Sequence, residues 1–423
     1  MTIARALKSS LIGAVSLAAI SHGAFAADAV VEEPVTGYNW SGLYVGAGAG
    51  VGAVRRVLSF GDFQIMPDQG GHGVFGEVTL GYDYMLSQRF LLGGFADVRF
   101  GNIGFSAEIE GQELLSITND YGFDVGARAG YLLTPSTLGY VLAGYTWQHF
   151  DVDVADLPPG ISLDTDRDGY ILGAGLETAV AANWTLKGEY RYADYGKHLV
   201  EFLDINSETS THTFHVGVNY RPGAQNGGGA SFAAPAYNWT GFYVGGALGA
   251  GAIADTIKLG GGVFELNGFG GEGIFGELSV GYDHEINDLW VVGLQLDGRY
   301  SGMTTVLFEA GPNSYEATAD YGFDILARVG AKVNESTLAY AIGGYSWQHV
   351  KEEVTGGPAP NDDWSVNGFS VGGGLEAAVS SNVTANIEYR YSRFEGQDYD
   401  SGGVWETIPV FHTVRIGAKY KFN

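Results

Sequence analysis

Between Asp120 and Tyr131 the chain reads DYGFDVGARAGY. One parity (Tyr121, Phe123, Val125, Ala127, Ala129, Tyr131) is wholly apolar, and the other carries Asp120, Asp124, Arg128 and glycines. Period two over this length specifies a strand with one oily and one polar face. The split recurs. Asp97 and Arg99 oppose Ala96, Val98 and Phe100, and Lys187, Glu189 and Arg191 oppose Leu186, Tyr190 and Tyr192. His215, Gly217 and Asn219 oppose Phe214, Val216, Val218 and Tyr220. The pattern predicts strands near 41–52, 72–83, 89–102, 121–132, 137–149, 169–180, 184–194 and 212–221. Short turns (DYMLSQ, LTPS, AAN) alternate with long connections near 53–71, 103–120, 150–168 and 195–211.

The whole pattern occurs twice. GGHGVFGEVTLGYDY (70–84) returns as GGEGIFGELSVGYDH (270–284), and the segment at 120–150 returns at 320–350. YNWSGLYVG at Tyr38 returns as YNWTGFYVG at Tyr237. Such self-similarity is a duplication of one large unit, far longer than a solenoid repeat. Residues 27–222 form the first unit, 223–236 a Gly- and Ala-rich connection expected to be flexible, and 237–423 the second unit.

The oily parity must face something. Residues 1–26 read as an export signal: Arg5 and Lys8, an apolar core from Leu11 to Ile20, then Ala24-Phe25-Ala26. No later run is long and apolar enough for a membrane helix, whereas strands of 9–11 residues can cross a tilted bilayer. Turning the other parity outward would place basic charges in lipid at about 2–4 kcal/mol each. The expected inward polar network is therefore Glu77, Asp97, Arg99, Asp124, Arg128, Glu177, Lys187, Glu189 and Arg191 in the first unit. Glu277, Asp297, Arg299, Asp324, Arg328, Glu376, Glu388 and Arg390 continue it in the second. The fold expectation is all-β, a transmembrane antiparallel β-barrel with eight strands per unit. With 67 glycines and 13% aromatic residues, the composition suits it.

Sixteen strands can close as two narrow barrels or as one sixteen-stranded, porin-sized barrel. Inward glycines such as Gly46, Gly48 and Gly50 relieve crowding in a narrow bore, and Pro222 stops the last strand of the first unit, which favours two. In narrow barrels the inward charges plug the bore; in a wide one they line a diffusion path whose acidity favours cations.

The YNW[ST]G[LF]YVG opening, the GYDY and EYRY strand ends and the terminal RIGAKYKF carry a resemblance. Each unit is similar to the small outer-membrane immunogenic, porin-like barrels of alpha-proteobacteria, relatives of the OmpA-type eight-stranded barrel. The resemblance implies residence in the outer membrane of a Gram-negative bacterium, contact with lipid and lipopolysaccharide, insertion by the barrel-assembly machinery, and roles in envelope integrity and surface antigenicity. Some relatives are called porins and some bind heme. The tandem copy and the final Asn423 after Phe422 depart from the family pattern.

Other chemistry is sparse. A formal charge of −26 argues against nucleic-acid partners, and the absence of cysteine removes disulfides and thiolate metal sites. The glycine runs miss the spacing of nucleotide loops. GFSVG around Ser370 matches a hydrolase elbow, but Ile171 replaces the serine in the first unit and no helix pattern follows. Asp164, Asp166 and Asp168 resemble the front half of a calcium loop without its closing Glu. His149 and His349, each ending a WQH tripeptide, are the candidates for heme or metal, and Trp147 beside His149 suits an interfacial belt, as do Tyr38 and Trp40. The expected protein is not an enzyme and needs no cofactor: it is a structural, surface-exposed barrel, the alternatives being a sixteen-stranded diffusion porin and a surface heme or cation receptor.

Overall fold

A computed structural model of the chain describes residues 37–61, 63–64, 68–155, 163–200, 205–225, 229–356, 363–398 and 405–422. The export signal lies outside them. Eight long strands build the first unit: β1 (Gly42–Phe60), β2 (Gln69–Met85), β3 (Phe90–Ile109), β4 (Gln112–Thr134), β5 (Thr137–Val154), β6 (Thr165–Ala181), β7 (Trp184–Val200) and β8 (Ile205–Tyr220). The second has β9 (Gly241–Leu259), β10 (Phe264–Glu285), β11 (Trp290–Ala310), β12 (Asn313–Asn334), β13 (Thr337–Thr355), β14 (Asp363–Ala378), β15 (Val383–Phe394) and β16 (Val410–Phe422). All neighbours run antiparallel. β8 returns to β1, with Tyr220 opposite Val45, and β16 returns to β9, with Phe422 opposite Phe242. Each unit thus closes on itself, and the sixteen-stranded alternative is corrected: a single ring would require β8 to continue onto β9.

The strands run well past the bilayer. The long connections expected at 53–71, 103–120 and 195–211 are largely extensions of the flanking strands. At the tip between β3 and β4, Glu110 (φ 48°) and Gly111 (φ 76°) both take positive φ, the two-residue turn whose twist matches the strands it joins. The rim at which β1 begins has the short turns, at residues 86–89, 135–136 and 182–183; the far rim has the tall hairpins.

Most outward side chains are exposed apolar residues, among them Leu43, Val78, Val125, Leu278, Leu294 and Phe422, which form the lipid-facing surface. One sector is different. Phe214 stacks on Tyr389 (ring centroids 5.5 Å apart, planes at 15°), amid Leu176, Leu375, Ile387 and Val414. Phe214 and Tyr190, expected on the lipid side, are instead covered by the other barrel. At the near rim Thr137 and Thr337 share a 2.8 Å hydroxyl contact, and Asn334 donates to Thr178 (2.9 Å). At the far rim the hairpins pair directly, Phe264–Asn267 of β10 running against Ser106–Ile109 of β3. The two barrels therefore meet along their full height.

Two other expectations change. Trp40, expected in the interfacial belt, is 1% exposed, as is its equivalent Trp239: each turns into the near mouth of its barrel. Trp40 donates to the Pro135 carbonyl (3.1 Å) and lies under the Arg221 guanidinium (5.1 Å). The connection between units is docked where it is described, rather than loose. Ala230 is buried beside Trp40, the Ala224 carbonyl accepts from Asn39, and Phe232 packs under Arg89 at 3.8 Å. A cation over a ring and a buried methyl group anchor the segment to the near rim of the first barrel.

The seam can be trapped covalently. With a protease site inserted in the connection, the Thr137→Cys/Thr337→Cys variant should remain one species after oxidation and cleavage on a non-reducing gel. Separation into two half-length bands would show that the barrels do not meet there.

Candidate functional site in the two bores

Alternation places polar side chains in each bore because every inward position is two residues from the next. All seventeen residues predicted for the inward network are buried, and they gather into two tiers per barrel. In the first barrel's near tier, Arg128 bonds Asp83 and Glu177 (Nη1 to Oε2, 2.8 Å). Arg221 reaches both carboxylates (2.8 and 3.1 Å), while Asn219 donates to Glu177 (2.9 Å). In the middle tier Arg191 ties Asp97 and Asp124 (2.7 Å each) to Glu189 (2.6 Å). Arg99 adds a second bond to Asp124 (2.8 Å), and Glu77 pairs with Lys187 (2.8 Å) and His215 (2.7 Å).

The second barrel repeats the plan. Arg390 bridges Asp297 (2.7 Å), Asp324 (2.9 Å) and Glu388, and Arg415 joins Glu388 (3.1 Å) to Glu277 (3.3 Å). Arg299 reaches Asp324 at 3.2 Å. Below them Arg328 and Lys419 share Glu376, and Lys421 meets Asp283 (3.1 Å). Tyrosines line the tiers and donate into them: Tyr140 to Glu189 (2.6 Å), Tyr340 to Glu388 (2.8 Å).

Glu277, Asp297 and Asp324 bring carboxylate oxygens within 4.8 Å of one another, close enough to share a metal ion. The Arg390 guanidinium already stands among them, 3.5 Å from Glu277 as well as bonded to the other two, and supplies the positive charge. Ser370 faces the same bore between Ser346 and Ser392 (2.6 Å each), with no histidine in its bonds, so the elbow motif is a chain of strand hydroxyls.

Asp164, Asp166 and Asp168 do not fold around a point. They are exposed, Asp166 and Asp168 lie on β6, Asp166 accepts from His149 Nδ1 (2.7 Å), and Asp164 takes the Val152 N–H (3.1 Å). His149 stacks on Tyr121 and His349 on Tyr321, each on the outer face of a different barrel; His349 Nδ1 is held by Asp320 (2.8 Å). The two histidines are not brought together.

Asp83, Arg221, Asp283, Lys419 and Lys421 belong to the network but were missed as members. Asp83 shares the inward parity of Glu77, so its signal was present; GYDY reads first as a strand end. At the seam, Glu272 accepts from Ser210 (2.8 Å) and meets His212 (3.2 Å) and Arg55 (3.4 Å), while the His72 and His412 rings lie 5.0 Å apart. These residues stand on outward parities, which the alternation assigns to lipid.

Closed antiparallel rings with an apolar exterior and a charged interior define a membrane β-barrel protein. The comparisons make the class specific. The sequence model of the family described as "Outer membrane protein beta-barrel domain" matches residues 12–221 and again 227–422, and the chain belongs to that family, resident in the Gram-negative outer membrane. It is 30% identical over 240 residues to the 31 kDa outer-membrane immunogenic protein of Brucella melitensis, covering 51% of this chain and 100% of that one. It is 28% identical over 194 residues to the 22 kDa outer membrane protein of Rhizobium leguminosarum bv. viciae (44% and 80%). Among solved structures it is similar to Neisserial surface protein A, at 19% identity and a TM-score of 0.29, over 43% of this chain and 98% of that one.

Breaking a fully buried ion pair from one side costs about 3–5 kcal/mol. Arg191→Ala, which strands Asp97 and takes one partner each from Asp124 and Glu189, should lower stability by about that much in urea titrations of the refolded protein. Adding Asp97→Asn should lower it by less than the sum of the single losses, because the charge left unpaired is removed as well. Strict additivity would show that the tier does not act as a unit.

Proposed function

We propose that the protein is a structural, surface-presenting component of the outer membrane, with both bores shut by their own ion pairs. The observation that carries this reading is the middle tier: Arg191 and Arg390, each 0–1% exposed, span from β7 or β15 to carboxylates on strands across the bore. A hydrated ion would have to break those pairs to pass. On this reading the apolar outer surface meets lipid and, toward the outside, lipopolysaccharide. The tall hairpins at the far rim form the antigenic face, and insertion proceeds through the barrel-assembly machinery. The names of the relatives, outer-membrane immunogenic proteins, support a surface role.

Two measurements test it. In planar bilayers the purified protein should give no large, stable, ohmic steps; such steps would overturn the plugged reading. The chain has no cysteine, so single introduced thiols report topology. Gln112→Cys should react with a membrane-impermeant maleimide on intact cells and Ser87→Cys only after lysis. The reverse pattern would invert the orientation.

A further inference from the structure

The bores are filled at membrane height, but their far ends differ. In the first barrel Phe105, Phe150 and Arg56 occupy the far end: Phe150 is fully buried, Phe105 is 6% exposed, and the Arg56 guanidinium lies 5.3 Å over the Phe150 ring. Equal strand register places Thr305, Val350 and Asp255 at those positions in the second barrel. Three large side chains are thus replaced by three small ones on facing strands. A cavity of about 310 Å³ is the result, lined by these three residues among others. That volume is at the lower end of ligand pockets, about 300–1,000 Å³.

The lining has changed in the opposite sense from its size. Where the first barrel has Gln69, Thr165 and Thr211, the second has Phe269, Trp364 and Phe411, so the enlarged space is walled by aromatic rings. A cluster of Ile253, Phe275, Met303, Val366 and Phe394 closes the floor above the ion-pair tiers. One charged group lines the space. Asp255 accepts the Val410 N–H (3.0 Å), its one bonded partner among the described residues, which leaves acceptor capacity toward the cavity. It stands beyond the 9–11 residues that a spanning strand uses, counted from Gly241, and burial pushes its carboxyl up to about 8. Water in such a space meets mostly ring carbon, and displacing it with apolar surface is favourable.

We propose that the far mouth of the second barrel is a binding site for a small apolar molecule of one or two rings that carries an N–H donor, held by the aromatic wall and oriented by Asp255. The reading goes beyond a structural role and applies to the second barrel alone. The cavity does not continue through the membrane, so the site captures a ligand without conducting it.

The test uses the full chain in lipid nanodiscs with 1-aminonaphthalene as the fluorescent probe and naphthalene as the competitor without a donor. Wild type should show a saturable signal at one site per chain above the linear partition into lipid. Thr305→Phe/Val350→Phe installs the side chains that the sister barrel already accommodates, so it should fold, as checked by its heat-modifiable gel mobility. It should weaken probe binding at least tenfold. Asp255→Leu, close in size and without an acceptor, should weaken the arylamine several-fold and leave competition by naphthalene unchanged. Linear partition alone, or equal saturable binding in the filled variant, overturns the site; equal arylamine affinity in Asp255→Leu overturns the assigned role of the carboxyl.

Discussion

A fixed charge inside an eight-stranded bore has no bulk water to fall back on, so each must be neutralised by a neighbour across the lumen. The structure meets this demand by balance. At membrane height the first barrel sets Glu77, Asp83, Asp97, Asp124, Glu177 and Glu189 against five fixed cations, Arg99, Arg128, Lys187, Arg191 and Arg221, with the His215 imidazole bonded to Glu77. The second sets the six equivalent carboxylates against Arg299, Arg328, Arg390, Arg415, Lys419 and Lys421. The cations are not position-for-position copies. Lys187 becomes Asn386 while Asn219 becomes Lys419, a charge that crosses to the adjacent strand, and His215 becomes Arg415. Position drifts while each carboxylate keeps a partner, as expected where the penalty falls on an unpaired charge and not on a particular geometry.

The duplication also explains the seam. Residues 72 and 272 are equivalent, as are 212 and 412. His212 of the first unit meets Glu272 of the second, and His412 of the second meets His72 of the first. The contact is reciprocal, the pattern that a two-fold axis between identical units would impose. Two units that once met as separate copies through such a face would need only a tether to become one chain. The connection docked beneath Trp40 is that tether.

Much of this was legible from the chain. Alternation identified the strands and the inward parity, and the seventeen charges it selected are all interior. What it missed has physical causes. Period two tells two faces apart but not lipid from a neighbouring barrel, because both are apolar; Phe214 and Tyr190 look alike in either setting. Trp40 reads as a belt residue by type and place, yet it precedes β1, where the alternation has not begun to fix its side. The tall hairpins look like loops because their outward positions face water above the bilayer, so the oily parity fades while the backbone ladder continues. Linker composition suggested freedom, and contacts as local as Arg89 on Phe232 removed it.

Height above the membrane plane sets how far the two copies can diverge. Within the bilayer a lost cation must reappear on an adjacent strand, as Lys187 and Lys419 show, since side chains fill the bore at that height and leave an unpaired carboxylate no other partner. Beyond it, water reaches the strand ends and can fill what a side chain vacates. Arg56 can then become Asp255 with no compensating charge among the described neighbours, and Phe105 and Phe150 can shrink to Thr305 and Val350 without collapse. The ladder of backbone hydrogen bonds holds the wall in place whether or not the lumen is filled. A duplicated barrel therefore has a conserved floor and a permissive mouth, and new recognition is to be sought where the charge balance stops being enforced.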